Sequence, residues 1–174
     1  MTLAEVFNPN IIKVGLESDD KDELFEEMVQ VIVDSDSSLN RAKILEALEQ
    51  RESLMSTGII HDVAVPHGKT DAVKNIVGCV GLSKKGIDYD SLDNDPVHIV
   101  FMLIYPQDFG EENLHIFKRL AIILESVNFR SDLLQQQTPQ GVYEVICRYE
   151  EELGDMYVWN WCYKSLNECR KSSF

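Results

Sequence analysis

The stretch that most constrains the fold is residues 97–105, which read Val-His-Ile-Val-Phe-Met-Leu-Ile-Tyr. A nearly continuous apolar run of this length, followed at once by Pro106, is typical of a central β-strand that is covered on both faces. Two further strand-like segments cover residues 59–65 and 76–82, and a short edge strand is expected near residues 11–14. Helical patterns alternate with these strands, which predicts an α/β layered domain.

Four segments carry apolar residues at helical spacing. They begin after Asp20, after Asn40, near residue 113 and at Pro139. Asp and Asn are common N-caps, and proline is common at the first helical position. The third helix is predicted to cover about residues 113–126. We expect its core face to carry Leu114, Phe117, Ala121 and Leu124.

The length of 174 residues is natural for one domain. We assign residues 1–153 to that domain and residues 154–174 to an aromatic-rich C-terminal extension. The extension is predicted to be helical and to pack back on the domain or on another copy of it, which would give a homodimer.

The net charge of −14 repels a phosphate backbone, so nucleic acid is not expected as a partner. No apolar run approaches the roughly 18 residues that a membrane span needs. The acidic N-terminus lacks the basic start of a signal peptide. We therefore expect a cytoplasmic protein without membrane insertion.

The segment that carries candidate chemistry reads Ala64-Val65-Pro66-His67-Gly68-Lys69. Pro66 is predicted to end a strand, and Gly68 allows a sharp turn just after the histidine. Histidine can act as a nucleophile and form a covalent intermediate, and Lys69 places positive charge beside it. The alternative is that His67 is an ordinary surface turn residue.

Two other residues have properties that suit the same chemistry. Arg51 extends the apolar stripe of the second helix, where arginine is unusual, and it precedes the loop to His67, so the two could meet. The alternative is that Arg51 only lays its stem over the core. His115 lies in the first turn of the third helix, where exposed N–H groups favour anions and a neutral imidazole that can donate one hydrogen bond. It could equally be an exposed polar residue.

Taken together, these motifs resemble the phosphorylation site of the enzyme IIA domains, fructose/mannitol class (type 2), of the bacterial phosphoenolpyruvate-dependent sugar phosphotransferase system. The resemblance spans about residues 3–153, and its 92–97 segment is most similar to the nitrogen-regulatory branch. The matching segments are Arg51-Glu52, Ser56-Thr57-Gly58, Ala64 to Lys69, Leu92-Asp93-Asn94-Asp95-Pro96-Val97 and Asn113-Leu114-His115.

This resemblance implies a five-stranded mixed sheet with helices on both faces, in three α/β/α layers. It implies that His67 receives a phosphoryl group from an HPr-like phosphocarrier, as a phosphotransferase component with a phosphohistidine intermediate. His115 would hydrogen-bond the phosphoryl oxygens, and Arg51 would support the developing charge. No cofactor and no metal are implied, because positioning and electrostatics suffice.

The resemblance leaves two functions open. The chain is either a regulatory phosphocarrier that acts on a target protein, or a sugar-specific enzyme IIA that passes the phosphoryl group to a IIB domain. The acidic surface suits steering of a partner with a basic docking patch. A metal-binding alternative would gather His61, His67 and His115 around a divalent ion. Their spacing matches no standard site, and Arg51 would repel a cation.

One segment departs from the family pattern. The family usually has Gly-Ile-Gly-x-Gly, whereas this chain reads Gly58-Ile59-Ile60-His61-Asp62. The replacement of two glycines by Ile60 and Asp62 predicts a stiffer loop. Asp62 also adds a negative charge near an incoming phosphoryl group.

Overall fold

The computed structural model describes residues 1–58, 62–110 and 114–154. Five strands in these ranges form one mixed sheet: β1 (Ile12–Val14), β2 (Val63–Ala64), β3 (His67–Lys69), β4 (Val77–Ile87) and β5 (Val97–Tyr105). The antiparallel pair β4–β5 forms its centre. β1 pairs in parallel with β4, and β2 and β3 pair one after the other in parallel with β5.

The helices of the described ranges are α1 (Leu3–Val6), α2 (Lys21–Ser35), α3 (Arg41–Glu52), α4 (His115–Glu125), α5 (Val127–Leu134) and α6, which covers residues 139–154. The predicted caps are confirmed. The Asp20 side chain accepts from the backbone N–H of Glu23, and the Asn40 side chain accepts from that of Lys43.

The side chains of β5 show how the helices and the sheet form layers. Ile99, Phe101 and Leu103 point to one core with residues of α1, α4, α5 and α6. The alternate residues of the same strand point to a second core with residues of α2 and α3. Helices therefore cover both faces of the sheet, and the predicted three-layer α/β/α fold is confirmed.

Two features of the elements differ from the prediction. The strand expected over 76–82 extends to Ile87, with Lys84 and Lys85 exposed. A further helix, α5, follows α4, and the Ser126 side chain caps it by accepting from the N–H of Phe129. Of the strand expected over 59–65, the structure describes Val63–Ala64 as strand, and its predicted start is untested because residues 59–61 lie outside the described residues.

The core face of α4 also differs from the prediction. Its buried residues are Ile116, Leu120 and Ile123, whereas Leu114 and Ala121 are exposed. The predicted face and the observed face both carry apolar residues at helical spacing, so spacing alone did not identify the face that packs on the sheet.

None of the helices in the described ranges is long and apolar enough to cross a membrane. Residues 155–174 of the predicted C-terminal extension lie outside the described residues.

Candidate active site

His67 is the first residue of β3. The sequence predicted that a strand ends at Pro66 and that its ladder does not continue. β2 does end before Pro66, but pairing with β5 resumes at His67, so the second part of the prediction is wrong. His67 pairs with Leu103 of β5, and the carbonyl of Pro66 accepts from the Leu103 N–H at 2.9 Å. A proline is tolerated on an edge strand, where its missing N–H need not interrupt the ladder. The backbone that carries the imidazole is therefore fixed to β5 on both sides of a short interruption, by β2 before Pro66 and by β3 after it.

The two ring nitrogens of His67 have different partners. Nδ1 lies 2.9 Å from the carbonyl oxygen of Val65, and Nε2 lies 3.0 Å from Nε of Arg51. A carbonyl only accepts and a guanidinium only donates, so we assign the proton to Nδ1 and the lone pair to Nε2. The hydrogen bonds therefore select the tautomer in which Nε2 can act as a nucleophile.

The surroundings of His67 favour this neutral form. Burial lowers the pKa of His67, the bond from Nδ1 to Val65 opposes this, and the charge of Arg51 lowers the pKa further. Glu52 acts in the opposite direction to Arg51. The net result is a pKa below the usual value near 6.5, so the imidazole is neutral at pH 7.

Arg51 lies in the last turn of α3, and the prediction that it meets His67 is confirmed. Its Nη1 donates to the carbonyl of Met55 at 2.9 Å while its Nε donates to His67. The guanidinium is therefore held at two points. Its planar donor set suits this geometry in a way that a lysine ammonium does not.

Gly68 lets α3 approach β3 closely. A Cβ at this position would lie 3.0 Å from the carbonyl carbon of Ala47 and 3.0 Å from the nitrogen of Leu48. The prediction that Gly68 makes a sharp turn is wrong, since it lies within β3. Its role is to leave room for the helix backbone, one turn before Arg51.

We expect Gly68→Val to lower the free energy of unfolding by about 1–3 kcal/mol, because the side chain would overpack the contact with α3. Urea unfolding followed by circular dichroism measures this. Lys69→Val is the matched control, since Lys69 is exposed on the same strand. A Gly68→Val variant as stable as the wild type would show that α3 can move away without cost.

Three aromatic rings that the sequence analysis did not assign to the site lie around it. The Tyr105 ring lies nearly parallel to that of His67 at 6.5 Å, and the Phe117 ring meets it edge-on at 5.6 Å. Phe109 packs on both Tyr105 and Phe117. Tyr105 ends β5, Phe109 lies in the loop after it and Phe117 lies early in α4. The sequence signal that could have indicated them is the aromatic residue at the end of the predicted central strand.

A cavity of about 730 Å³ opens beside Arg51 and His67. Its lining is mostly apolar and comes from the loop after α3, from β2 and from α4. Leu92, which is 58% exposed, belongs to the same lining. The polar pair thus lies in an apolar recess.

His115 is the first residue of α4, as predicted to within the first turn. Its Nε2 lies 3.1 Å from the carbonyl oxygen of Met1. His115 is not among the described residues that line the cavity at His67. The structure therefore brings Arg51 and His67 into contact, and places His115 on the helix whose Phe117 touches the His67 ring.

The backbone conformation of Asp62 accounts for the glycine in the family pattern given above. Its φ is 66°, in the left-handed region where glycine carries no steric penalty and Asp is tolerated. Its carbonyl accepts from the N–H groups of His98 and Ile99 at 2.8 and 3.0 Å. The substitution thus keeps the backbone turn, and the side chain is exposed.

Within residues 1–58, 62–110 and 114–154, no group of three or more His, Cys, Asp or Glu side chains could hold a metal ion. His61 of the metal-binding alternative lies outside these ranges.

Comparison with known proteins agrees with this fold. The family model for the phosphoenolpyruvate-dependent sugar phosphotransferase system, EIIA 2, matches residues 5–149. The chain therefore belongs to the type 2 enzyme IIA family of this phosphotransferase system. Its relatives include both sugar-specific and nitrogen-regulatory proteins.

Three of these relatives illustrate the range. A fructose-specific EIIABC component from Bacillus subtilis is 33% identical over 151 residues, which cover 87% of this chain and 24% of that protein. A nitrogen regulatory protein from Bradyrhizobium diazoefficiens is 29% identical, over 84% of this chain and 95% of the relative. The crystal structure of nitrogen regulatory protein IIA-Ntr from Neisseria meningitidis matches with a TM-score of 0.76 and 29% identity, over 83% of this chain and 98% of that chain.

Proposed function

We propose that this chain is a phosphocarrier that accepts a phosphoryl group from an HPr-like donor on Nε2 of His67. The observation that carries the proposal is the pair of contacts at His67, with Nδ1 at the Val65 carbonyl and Nε2 facing the Arg51 guanidinium. The lone pair of Nε2 attacks phosphorus, and the bond from phosphorus to the donor breaks with its electron pair left on the donor. Nδ1 keeps its proton throughout.

Arg51 supplies the charge that such a transfer needs. Its Nε faces the nitrogen that would be phosphorylated, so as Nε2 bonds to phosphorus the same donor can turn to a phosphoryl oxygen. Phosphoryl transfer depends mainly on positioning and on charge stabilisation of this kind. The apolar recess around the pair has a low dielectric, which strengthens these contacts.

The test is intact mass after incubation with phosphoenolpyruvate, enzyme I and HPr. We expect one added phosphoryl group that is lost in acid. An unmodified chain, with the same HPr active on another enzyme IIA, would overturn the proposal.

His115 is proposed as the second histidine, donating to the phosphoryl oxygens. Its position at the N-terminus of α4 supports this role, because N–H groups and the helix dipole favour an anion there. The contact of Phe117 with the His67 ring shows that this helix packs directly on the site.

A regulatory role is favoured over sugar uptake by the surface beside the site. Leu92 begins the segment that resembles the nitrogen-regulatory branch, and it is exposed and lines the cavity next to His67. A partner that approaches His67 would touch it. Rapid loss of the phosphoryl group on adding a fructose-type IIB domain and its sugar would instead favour the sugar-specific function. We also propose a cytoplasmic location, which an HPr-like donor and either acceptor would support.

We also propose that residues 154–174 mediate self-association. The extension contains Tyr157, Trp159, Trp161 and Tyr163 within one short stretch, and such residues are enriched at protein interfaces. We expect sedimentation equilibrium to give a dimer for the wild type and a monomer for the Trp159→Ser/Trp161→Ser double variant. A monomeric wild type at micromolar concentration would contradict the proposal.

A further inference from the structure

Glu52 is a buried carboxylate next to Arg51 that the proposed transfer has not used. It ends α3, and its side chain is 7% exposed. Its oxygens accept from the backbone N–H of Thr57 at 3.1 and 3.2 Å and from the Thr57 hydroxyl at 2.6 Å. Lys21 of α2 lies 3.4 Å away. A buried carboxylate is costly unless it is bound in this way.

The contacts continue beyond Thr57. Its hydroxyl oxygen lies 2.8 Å from the hydroxyl of Tyr89, which is 1% exposed. Because the Thr57 hydrogen goes to Glu52, the Tyr89 hydroxyl donates to Thr57. Burial raises the pKa of Tyr89, so this donor keeps its proton. The hydrogen bonds therefore run from Tyr89 through Thr57 to the Glu52 carboxylate, and each hydroxyl hydrogen has an acceptor.

These contacts close the loop that holds Arg51. The loop runs from Glu52 to Thr57, and the bonds from the Thr57 backbone N–H and hydroxyl to the Glu52 carboxylate join its two ends. The carbonyl of Met55, which accepts from Arg51 Nη1, lies between them. Opening the loop would move this carbonyl, and Arg51 would lose one of its two fixed points.

We propose that Glu52 is a positioning residue for phosphoryl acceptance: by closing the 52–57 loop, it holds the Met55 carbonyl where it orients Arg51 Nε toward Nε2 of His67. The inference rests on the proposed function of His67. A second effect has the same origin, because the negative charge of Glu52 raises the pKa of His67 while Arg51 lowers it. Among the described residues, the Val65 carbonyl, Tyr105 and Phe117 also face the ring.

The test compares Glu52→Gln with Glu49→Gln, which removes the same charge from an exposed position on the same helix. Single-turnover transfer from phosphorylated HPr is measured together with the NMR titration of His67. We expect Glu52→Gln to slow transfer about tenfold to a hundredfold, because misplacement of a catalytic group by about 1 Å costs up to this much. The pKa of His67 should fall in Glu52→Gln and stay unchanged in Glu49→Gln.

A purely structural role would give a different result. Lower stability of Glu52→Gln with an unchanged rate for the folded fraction and an unchanged His67 titration would overturn the inference. An equal loss of rate in Glu49→Gln would also overturn it, since charge alone would then be responsible.

Thr57→Val serves if Glu52→Gln does not fold. This variant removes the Thr57 hydroxyl and keeps the Glu52 carboxylate. We expect it to slow transfer less than Glu52→Gln does, without weakening the binding of phosphorylated HPr. Wild-type transfer in Thr57→Val would overturn the inference. The titration separates the two proposals. If the wild type is never phosphorylated but the pKa of His67 still falls in Glu52→Gln, the proposed function fails while the coupling of Glu52 to His67 stands.

Discussion

Replacing His67 with alanine should abolish the added phosphoryl group altogether. The variant has no nitrogen at the position that Arg51 faces, and histidine is the acceptor that the geometry provides. Intact mass after incubation with phosphoenolpyruvate, enzyme I and HPr should show the wild type one phosphoryl group heavier and His67→Ala unchanged.

His98→Asn is the matched control for this experiment. His98 lies on the neighbouring strand β5, and its Nδ1 is 2.9 Å from the carbonyl of Ser83, a contact that an asparagine amide can reproduce. This variant should accept the phosphoryl group as the wild type does. A phosphorylated His67→Ala would place the acceptor elsewhere and refute the assignment.

Replacing Arg51 with alanine should slow transfer about 100-fold to 1,000-fold, the usual cost of removing one donor that stabilises a developing negative charge. It should also raise the pKa of His67, because the guanidinium lowers it. Rapid-quench transfer from phosphorylated HPr gives the rate, and an NMR titration of His67 gives the pKa.

Arg51→Lys should restore only part of the rate. An ammonium supplies the charge but cannot reach both Nε2 of His67 and the Met55 carbonyl with a planar set of donors. Arg41→Ala is the control on the same helix, where Arg41 forms an exposed ion pair with Glu26. Equal rates for Arg51→Ala and Arg41→Ala would show that Arg51 does not act on the phosphoryl group.

The parts of the fold that the sequence predicted well depend on local patterns. β5 is apolar at nearly every position because two helical layers cover it, and this is visible along the chain. The starts of α2 and α3 follow from side chains that cap them within three residues. The meeting of Arg51 with His67 was also predictable, since an arginine stood where an apolar residue was expected.

The parts that were missed depend on contacts between distant residues. β3 forms because His67 pairs with Leu103. Pro66 just before it is a local pattern that predicts the end of a strand, so the sequence did not indicate β3. The tautomer of His67 depends on the Val65 carbonyl, whose direction no sequence pattern reveals. Glu52 looks like an ordinary acidic residue at a helix end, and only its contacts with Thr57 show that it is buried.

The interruption at Pro66 has a consequence beyond the site. β2 and β3 form one edge of the sheet and have two and three residues. Short edge strands, proline and exposed lysine are the features by which proteins prevent the edges of their sheets from joining. This edge has all three, with Lys69 exposed at its end. A partner must therefore reach His67 through side chains and loops rather than by adding a strand, and the same short, proline-interrupted edge that carries the nucleophile also protects the domain from edge-to-edge aggregation.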